Sequence, residues 1–245
     1  MTGKKSPRAD RPPSRKARRS EGQPELDKVP PLDLLARGAQ ELGVEISPAL
    51  AAAFGLYLEE LLRWNARINL TGLKTATDIV IKHFLDSLAV LPYLGDALTL
   101  ADLGAGPGFP GVPLKILRPE LRLTLVEGRG KKAAFLEYLV GCLGLSGVKV
   151  VPVHLTVDQV RAWGPRFDAV TSRGAFPLAQ FLKLAAPLLT PGGRALALKG
   201  PNLTPAELTE AVHLAPGLTL TEPTLHHYHL PLTGEPRLVV MAEKI

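Results

Sequence analysis

The sequence predicts an α/β protein in which a doubly wound, mostly parallel sheet follows a small N-terminal helical section. Three observations predict this fold. Apolar residues recur at helical spacing before residue 92, short apolar strands alternate with helices from residue 98 onward, and a glycine-rich loop follows the first strand. Strands separated by helices of about 10–15 residues imply right-handed crossovers and hence a parallel sheet.

Composition limits the class of protein. The chain has 245 residues, 46% of them hydrophobic, which suits one large domain or one domain with a small satellite. No apolar run reaches the roughly 18 residues of a membrane span. Cys142 is the single cysteine, which excludes an internal disulfide framework and a thiolate zinc cluster. With no secretory signal pattern, we expect a cytoplasmic protein with no membrane contact and no bound metal.

The positive charge belongs to the first 30 residues. They hold nine Lys or Arg and four Asp or Glu, whereas the remaining residues hold 20 basic and 19 acidic side chains. A segment rich in Pro, Ser and Arg without an apolar period is expected to be disordered, so residues 1–30 are predicted to be a basic tail. The tail either adds phosphate contacts to a nucleic acid or is a solvated arm without a fixed partner.

Residues 31–96 are predicted to form the helical section. One helix is expected over Leu32–Leu42, and a second begins at Ser47, a typical N-cap with proline at the first helical position, and continues to Trp64. A third helical pattern covers about 77–91. The section is too small for a deep core of its own, so we expect it to pack against the following domain.

Residues 97–245 carry the alternating pattern. Strands are predicted at Leu98–Leu103, Leu121–Val126, Val148–Val153, Phe167–Ser172 and Ala195–Lys199, and a closing hairpin at Leu225–Pro231 and Arg237–Ala242. Helices are predicted at Val112–Leu117, Lys131–Leu143, Leu178–Leu188 and Thr204–Val212. Such sheets bind ligands beyond the carboxyl ends of their strands, where the strand order reverses, so the loop after the first strand is the first candidate site.

That loop spans residues 102–111 and reads DLGAGPGFPG. Gly106, Gly108 and Gly111 fit the spacing of a dinucleotide-binding turn. Asp102 with Gly104, Gly106 and Gly108 fits instead the acid-x-Gly-x-Gly-x-Gly pattern of S-adenosylmethionine enzymes. A carboxylate at the strand end suits a cationic sulfonium better than a pyrophosphate. The prolines also remove N–H donors that a pyrophosphate would use, so methyl transfer is favoured over the dinucleotide reading and over a purely structural turn.

Other candidate residues follow later strands. Glu127 can accept hydrogen bonds from the two hydroxyls of a ribose, or be an ordinary surface acid. The third strand ends near Leu155 and Thr156, which could frame an adenine, with Asp158 as the alternative if the strand end is misplaced. Arg173 and Lys199 end the fourth and fifth strands, where they could meet a phosphate or the O6 edge of guanine, or be exposed loop residues.

Two histidine patterns are weaker. His83 and Asp86 lie three residues apart, so they form either an acid–base pair on one helix face or a local helix contact. The cluster of three histidines at 226, 227 and 229 lacks carboxylate or thiolate partners, which argues against a metal site.

Several motifs in order resemble the glucose-inhibited division protein B family. They are RWNARINLT at residues 63–71, KHFLDS at 82–87, the loop at 102–111, RPE at 118–120, GKK at 130–132, SR at 172–173, LKG at 198–200 and GEPRLVV at 234–240. The resemblance covers about residues 32–245 and leaves out the basic tail. The family comprises bacterial small-subunit ribosomal RNA guanine-N7 methyltransferases.

The resemblance implies a Rossmann-like class I methyltransferase fold, S-adenosyl-L-methionine as methyl donor, and 16S rRNA or the small ribosomal subunit as partner. Separately, we expect the protein to be a monomer. By matching position, Gly104 and Phe109 would line the cofactor loop and Arg173 would reach both cofactor and substrate. His154, Leu155 and Thr156 stand where the family usually has Arg, Ala and Glu.

We therefore predict two groups of site residues. The predicted catalytic residues are Arg173 and Lys199. The predicted cofactor-binding residues are Asp102, Gly104, Gly106, Phe109, Glu127, Leu155, Thr156 and Arg173. The rival functions are a methyltransferase with another acceptor, an NAD(P)-linked oxidoreductase, and a catalytically silent RNA-binding protein.

Overall fold

The computed structural model describes residues 23–245, with side chains from residue 25. Of the predicted disordered tail, residues 1–22 lie outside the described part. The first described residues, Gln23–Leu26, form a short helix, α1, and the side chains of Leu26 and Val29 pack against the core. For this stretch the sequence predicts disorder. The ordered structure therefore begins before residue 30, because these two apolar side chains find a surface to cover.

The N-terminal section is helical, as expected from its apolar spacing. Its elements are α2 (Pro31–Glu41), α3 (Pro48–Ile68), α4 (Ala76–Ile79), a π-helical segment (Val80–Leu85), α5 (Asp86–Leu88) and α6 (Leu91–Leu94). Ser47 caps α3 by accepting a hydrogen bond from the Leu50 N–H, 3.3 Å away. The helical pattern predicted over about 77–91 is confirmed over residues 76–88, but its middle, Val80–Leu85, is π-helical, and a turn separates it from α6.

Seven strands form one sheet in the order β3-β2-β1-β4-β5-β7-β6. The strands are β1 (Thr99–Leu103), β2 (Arg122–Val126), β3 (Val148–Val151), β4 (Phe167–Arg173), β5 (Leu189–Lys199), β6 (Thr224–His229) and β7 (Pro236–Glu243). The first five are parallel, and β7 is antiparallel to both β5 and β6. The predicted α/β fold is confirmed. Strand order reverses between β1 and β4, which places the predicted ligand crevice at their carboxyl ends.

The crossover helices are α7 (Gly111–Leu117), α8 (Gly130–Cys142), α9 (Val157–Trp163), α10 (Leu178–Ala185) and α11 (Pro205–Leu214), with 3₁₀ turns at Ala186–Leu188 and Pro216–Leu218. The helix α9 was not predicted from the sequence. The predicted β3 extended to residue 153, two residues too far, and the predicted β5 began at residue 195 instead of 189.

The core is divided by the sheet into two layers. One layer contains apolar side chains of the N-terminal helices together with those of α7 and α8, and the other contains those of α9, α10 and α11. Phe54, Leu61 and Phe84 of the helical section are fully buried in the first layer. The section therefore covers a sheet face rather than forming a core of its own. Within residues 23–245, no helix is both long and apolar enough to cross a membrane.

Candidate active site at the strand-order reversal

A cavity of about 600 Å³ opens at the carboxyl ends of β1, β2 and β4. This volume is in the range of roughly 300–1,000 Å³ that is usual for small-molecule sites. Its walls come from the loops after four strands and from the first turns of α8 and α10. They comprise Gly104, Ala105, Gly106, Pro107, Phe109, Val126, Glu127, Gly128, Arg129, Lys132, Val153, His154, Leu155, Arg173, Gly174, Ala175, Phe176 and Gln180.

The glycine-rich turn forms the floor of this cavity. Gly104 has φ +72°, a left-handed conformation that favours glycine, and its N–H donates to the Val126 carbonyl over 2.8 Å. A Cβ at Gly104 would stand well under 3.0 Å from the Cβ of Ala175, on the opposite wall. A Cβ at Gly106, with φ +59°, would make only ordinary contacts, the nearest 3.9 Å away at Lys132 Nζ. The structure therefore places both predicted glycines at the cavity, and only glycine allows the two walls to approach so closely.

Asp102 lies behind the turn and does not line the cavity. It is fully buried, and its Oδ2 accepts a hydrogen bond from the Gly111 N–H at the start of α7, 2.8 Å away, while its Oδ1 has no partner. Burial raises the pKa of Asp102 to about 7, although the Gly111 hydrogen bond and the Arg173 charge oppose the rise. The direct cofactor contact predicted for Asp102 needs correction, since the geometry gives this carboxyl group the role of bracing the loop.

Glu127 lies at the cavity wall as predicted. It is only 7% exposed, and each carboxylate oxygen accepts one backbone hydrogen bond of 2.8 Å, Oε2 from Gly106 and Oε1 from Arg129. A carboxylate offers about four acceptor positions, so each oxygen keeps capacity for a further donor such as a ribose hydroxyl. The carboxylate also couples the glycine turn to the loop before α8.

The loop after β3 contributes His154 and Leu155 but not Thr156. Thr156 caps α9: its Oγ1 accepts from the Gln159 N–H, and its own N–H donates to the Gln159 side chain. The predicted adenine contact of the Thr156 side chain is therefore not supported by the structure, and Asp158 lies in the first turn of α9, also outside the cavity. His154 packs closely over Gly128, where a Cβ would collide with its ring.

Phe109 joins the glycine turn to the helical section. Its ring stacks on Tyr57, with centroids 5.3 Å apart, and on His83, with centroids 4.4 Å apart. The Tyr57 hydroxyl donates to the Pro107 carbonyl over 2.6 Å, and burial raises the tyrosine pKa well above its usual value. The N-terminal section thus supports the cofactor loop from beneath, a role that the sequence analysis missed.

Arg173, at the end of β4, stands between the large cavity and a second one. Its guanidinium lies over the Phe109 ring, 5.0 Å from the centroid, and forms an ion pair of 3.2 Å with Asp86. The second cavity, about 320 Å³, shares Arg173 and Gly174 with the first. It is otherwise lined by Lys82, Asp86, Leu198, Lys199, Gly200 and Arg237.

Lys199 lines this second, basic cavity rather than the first. Its Nζ donates to Glu207 of α11 over 2.7 Å and to the Phe176 carbonyl over 3.0 Å. Burial alone would raise the pKa of Glu207, but the hydrogen bonds from Lys199 and from the Leu178 N–H bring it below its usual value. These two contacts hold the Lys199 amino group in one position at the second cavity, and the side chain does not line the first.

Several residues that line the first cavity were not predicted as site residues, because no sequence motif marks them. Lys132 and Gln180 reach the cavity from the first turns of α8 and α10, and Phe176 lies in the loop after β4. Burial lowers the pKa of Lys132. A lysine at a helix start is common, so only the fold identifies these positions. In residues 23–245, no group of three or more His, Cys, Asp or Glu side chains is placed to hold a metal ion.

The strand order, the glycine turn after β1 and the acid after β2 together define a class I S-adenosylmethionine-dependent methyltransferase. Solved structures share this architecture. An O-methyltransferase from Bacillus cereus in complex with SAH superposes with a TM-score of 0.55 at 17% identity, covering 77% of this chain and 90% of that one. A putative O-methyltransferase from Klebsiella pneumoniae superposes with a TM-score of 0.54 at 15% identity, covering 77% and 89%.

The sequence comparisons are more specific. The profile of the GidB family, rRNA small subunit methyltransferase G, matches residues 51–216. The ribosomal RNA small subunit methyltransferase G of Myxococcus xanthus is 40% identical over 212 residues, which span 86% of this chain and 96% of that protein. The corresponding protein of Deinococcus deserti is 39% identical over 216 residues, spanning 87% and 88%. The chain belongs to the rRNA small subunit methyltransferase G family.

Proposed function

We propose that this protein transfers a methyl group from S-adenosylmethionine to N7 of a guanine in 16S rRNA. The observation that carries the proposal is the pair of adjoining cavities at the strand-order reversal, one suited to the cofactor and one lined by four basic side chains. Membership of the family supports small-subunit rRNA as the substrate. The proposed substrate places the reaction in the cytoplasm.

The residues of the larger cavity fit the cofactor. Glu127 would accept hydrogen bonds from the ribose hydroxyls, and Leu155 would lie against the adenine. Gly104 and Gly106 would let the cofactor approach the backbone, and Phe109 would close the floor. A dinucleotide fits less well, because Pro107 lacks an N–H and the Gly106 N–H already donates to a carboxylate, where a pyrophosphate would meet negative charge.

The chemistry needs little acid or base. When bound, S-adenosylmethionine supplies an electrophilic methyl group, and guanine N7 can take it with its in-plane lone pair as the carbon–sulfur bond breaks. N7 loses no proton in this step, so the protein's contribution is alignment and desolvation. The site agrees with this requirement, since burial and the Arg173 charge lower the pKa of His83, the histidine in contact with Arg173, well below the usual value and make it a weak base.

The basic cavity would receive the guanine or its phosphate. Lys82, Lys199 and Arg237 line it, and Arg173 forms the wall that it shares with the cofactor cavity. Arginine can donate a planar pair of hydrogen bonds to a phosphate or to the O6 and N7 edge of guanine. Since N7 must remain free to react, we infer that Arg173 contacts O6 or the adjacent phosphate.

The test is methyl incorporation from labelled S-adenosylmethionine into small subunits, and separately into deproteinised 16S rRNA, both from cells lacking this gene. We expect wild-type protein to label at least one of them, and Arg173→Ala to reduce the rate by at least tenfold at saturating cofactor. An S-adenosylmethionine affinity within about threefold of wild type would show that the loss is not a loss of folding. Full activity of Arg173→Ala would refute its role. No labelling of either substrate by wild-type protein that binds the cofactor would refute the proposed acceptor.

A further inference from the structure

We infer that the neutral imidazole of His83 is a positioning residue that holds the Arg173 guanidinium between the two cavities, through the lone pair on Nδ1. The inference rests on the proposed function of the site and identifies a residue that acts through Arg173. The ring lies on the π-helical segment, 90 positions before Arg173 in the chain, and is part of the helical section rather than of the sheet domain.

Arg173 is held mainly by the helical section. One Nη donates to the Lys82 carbonyl over 2.8 Å and to Asp86 Oδ2 over 3.2 Å, and the other Nη lies 2.7 Å from His83 Nδ1. A guanidinium has five N–H donors, so these contacts fix its plane and leave two donors for a ligand. The side chain is 17% exposed and lines both cavities, which is where those two donors can be used.

The contact with Nδ1 determines the form of the imidazole. Arginine has no acceptor, so Nδ1 must present a lone pair to it, and the proton of the neutral ring then lies on Nε2. This arrangement is satisfied on the other side of the ring, where Nε2 lies 2.8 Å from Thr71 Oγ1. In the opposite tautomer, Nδ1–H would donate to the Lys82 carbonyl, 3.1 Å away, and the Arg173 N–H, whose nitrogen lies 2.7 Å from Nδ1, would have no acceptor on the ring.

The charged form of the ring is disfavoured at this position. The His83 ring is partly buried and stacks on Phe109, and desolvation first, then the Arg173 charge, lower its pKa well below the usual value. A neutral ring with one fixed tautomer is therefore available to Arg173 throughout the neutral pH range. The π-helical segment supports the arrangement, because it presents the Lys82 carbonyl and the His83 ring to the guanidinium, and it ends directly before Asp86, whose carboxylate pairs with the same group. Such π-helical segments are frequent at functional sites.

Two substitutions of His83 distinguish the role of the Nδ1 lone pair from the role of the aromatic ring. Asparagine places an amide oxygen where Nδ1 stands and removes the ring, whereas phenylalanine keeps the ring against Phe109 and removes the acceptor. We expect His83→Asn to keep kcat for rRNA methylation within about threefold of wild type, and His83→Phe to lower kcat at least tenfold with an unchanged S-adenosylmethionine Kd. In an Arg173→Ala background, His83→Phe should cause no further loss. His213→Asn, on an exposed histidine of α11, is the matched control.

A purely structural role for the ring predicts the reverse order, with His83→Phe mild and His83→Asn severe, and that order would overturn the inference. Equal additive losses in the Arg173→Ala background would also overturn it. If wild-type protein methylated no rRNA, the proposed function would fail, but the inference would still be tested by ¹⁵N NMR of the histidine rings. We expect His83 to be the Nε2–H tautomer and to change on Arg173→Ala. An Nδ1–H ring or an imidazolium at pH 7 would contradict it.

Discussion

Replacing Gly104 by alanine is expected to weaken cofactor binding by about 5- to 150-fold. The new methyl group would stand well under 3.0 Å from the Cβ of Ala175, and relieving such overpacking costs roughly 1–3 kcal/mol. The free protein can relieve it by moving Ala175 and Phe176 into the cavity, so the cofactor must reverse that movement when it binds. At about 1.4 kcal/mol per factor of ten, the clash energy gives the stated range.

A second, separate cost falls on folding. Gly104 has φ +72°, and a side chain in the left-handed region costs roughly 1–2 kcal/mol. Gly43 has φ +71° with no atom within 4 Å of an added Cβ, and it lies outside the cofactor cavity. Gly43→Ala is therefore a matched control that carries the backbone strain without the clash.

The assay is titration calorimetry with S-adenosylmethionine and S-adenosylhomocysteine, combined with urea unfolding. We expect both variants to lose stability, and only Gly104→Ala to lose affinity. If Gly104→Ala bound S-adenosylmethionine with wild-type affinity, the expected clash between residue 104 and Ala175 would be refuted. An equal loss of affinity in both variants would also refute it, since the effect would then come from general destabilisation.

Three further predictions concern other parts of the site. Tyr57→Phe removes the hydroxyl that donates to the Pro107 carbonyl, and should lower the free energy of unfolding by about 1 kcal/mol in urea titrations, with weaker cofactor binding; unchanged values would contradict this. For Asp102, the folded-state pKa of about 7 exceeds the ordinary 3.8, so its folded form binds more protons and wild-type stability should fall as pH rises from about 4 to 7. Asp102→Asn removes this dependence while keeping an acceptor for Gly111, so its stability relative to wild type should increase between pH 5 and pH 8; a constant difference would refute the raised pKa. Lys199→Met should leave cofactor affinity unchanged and reduce the salt dependence of RNA binding by about one phosphate contact; an unchanged slope would exclude a phosphate at Lys199.

Much of the fold follows from periodicity in the sequence. The β1 and β2 strands and the glycine turn were predictable, because both strands are short apolar runs and the first ends at Asp102 and Leu103, directly before a series of glycines. The helix α9 was missed although its signal is present, since Thr156 and Gln159 stand at the spacing of a capping box. The π turn has no comparable signature, because its hydrogen bonds differ from those of an α-helix by a single residue.

The site was predictable only in part. The sequence placed Gly104, Glu127 and Arg173 near the cofactor, but strand alternation alone does not tell which face of β1 the Asp102 side chain takes, and it lies behind the turn. The contact of His83 with Arg173 spans 90 positions and depends on how the helical section docks on the sheet. No local pattern reports such a contact.

The proposed acceptor atom of the reaction is N7 of a guanine in 16S rRNA. The most direct test uses S-adenosylmethionine with a deuterated methyl group, small subunits from cells lacking this gene, and mass spectrometry of the nucleosides released by digestion. We expect deuterated 7-methylguanosine in the digest, and none when the protein is omitted. A deuterated methyl group on another nucleoside or on another atom of guanosine, with no 7-methylguanosine, would contradict it.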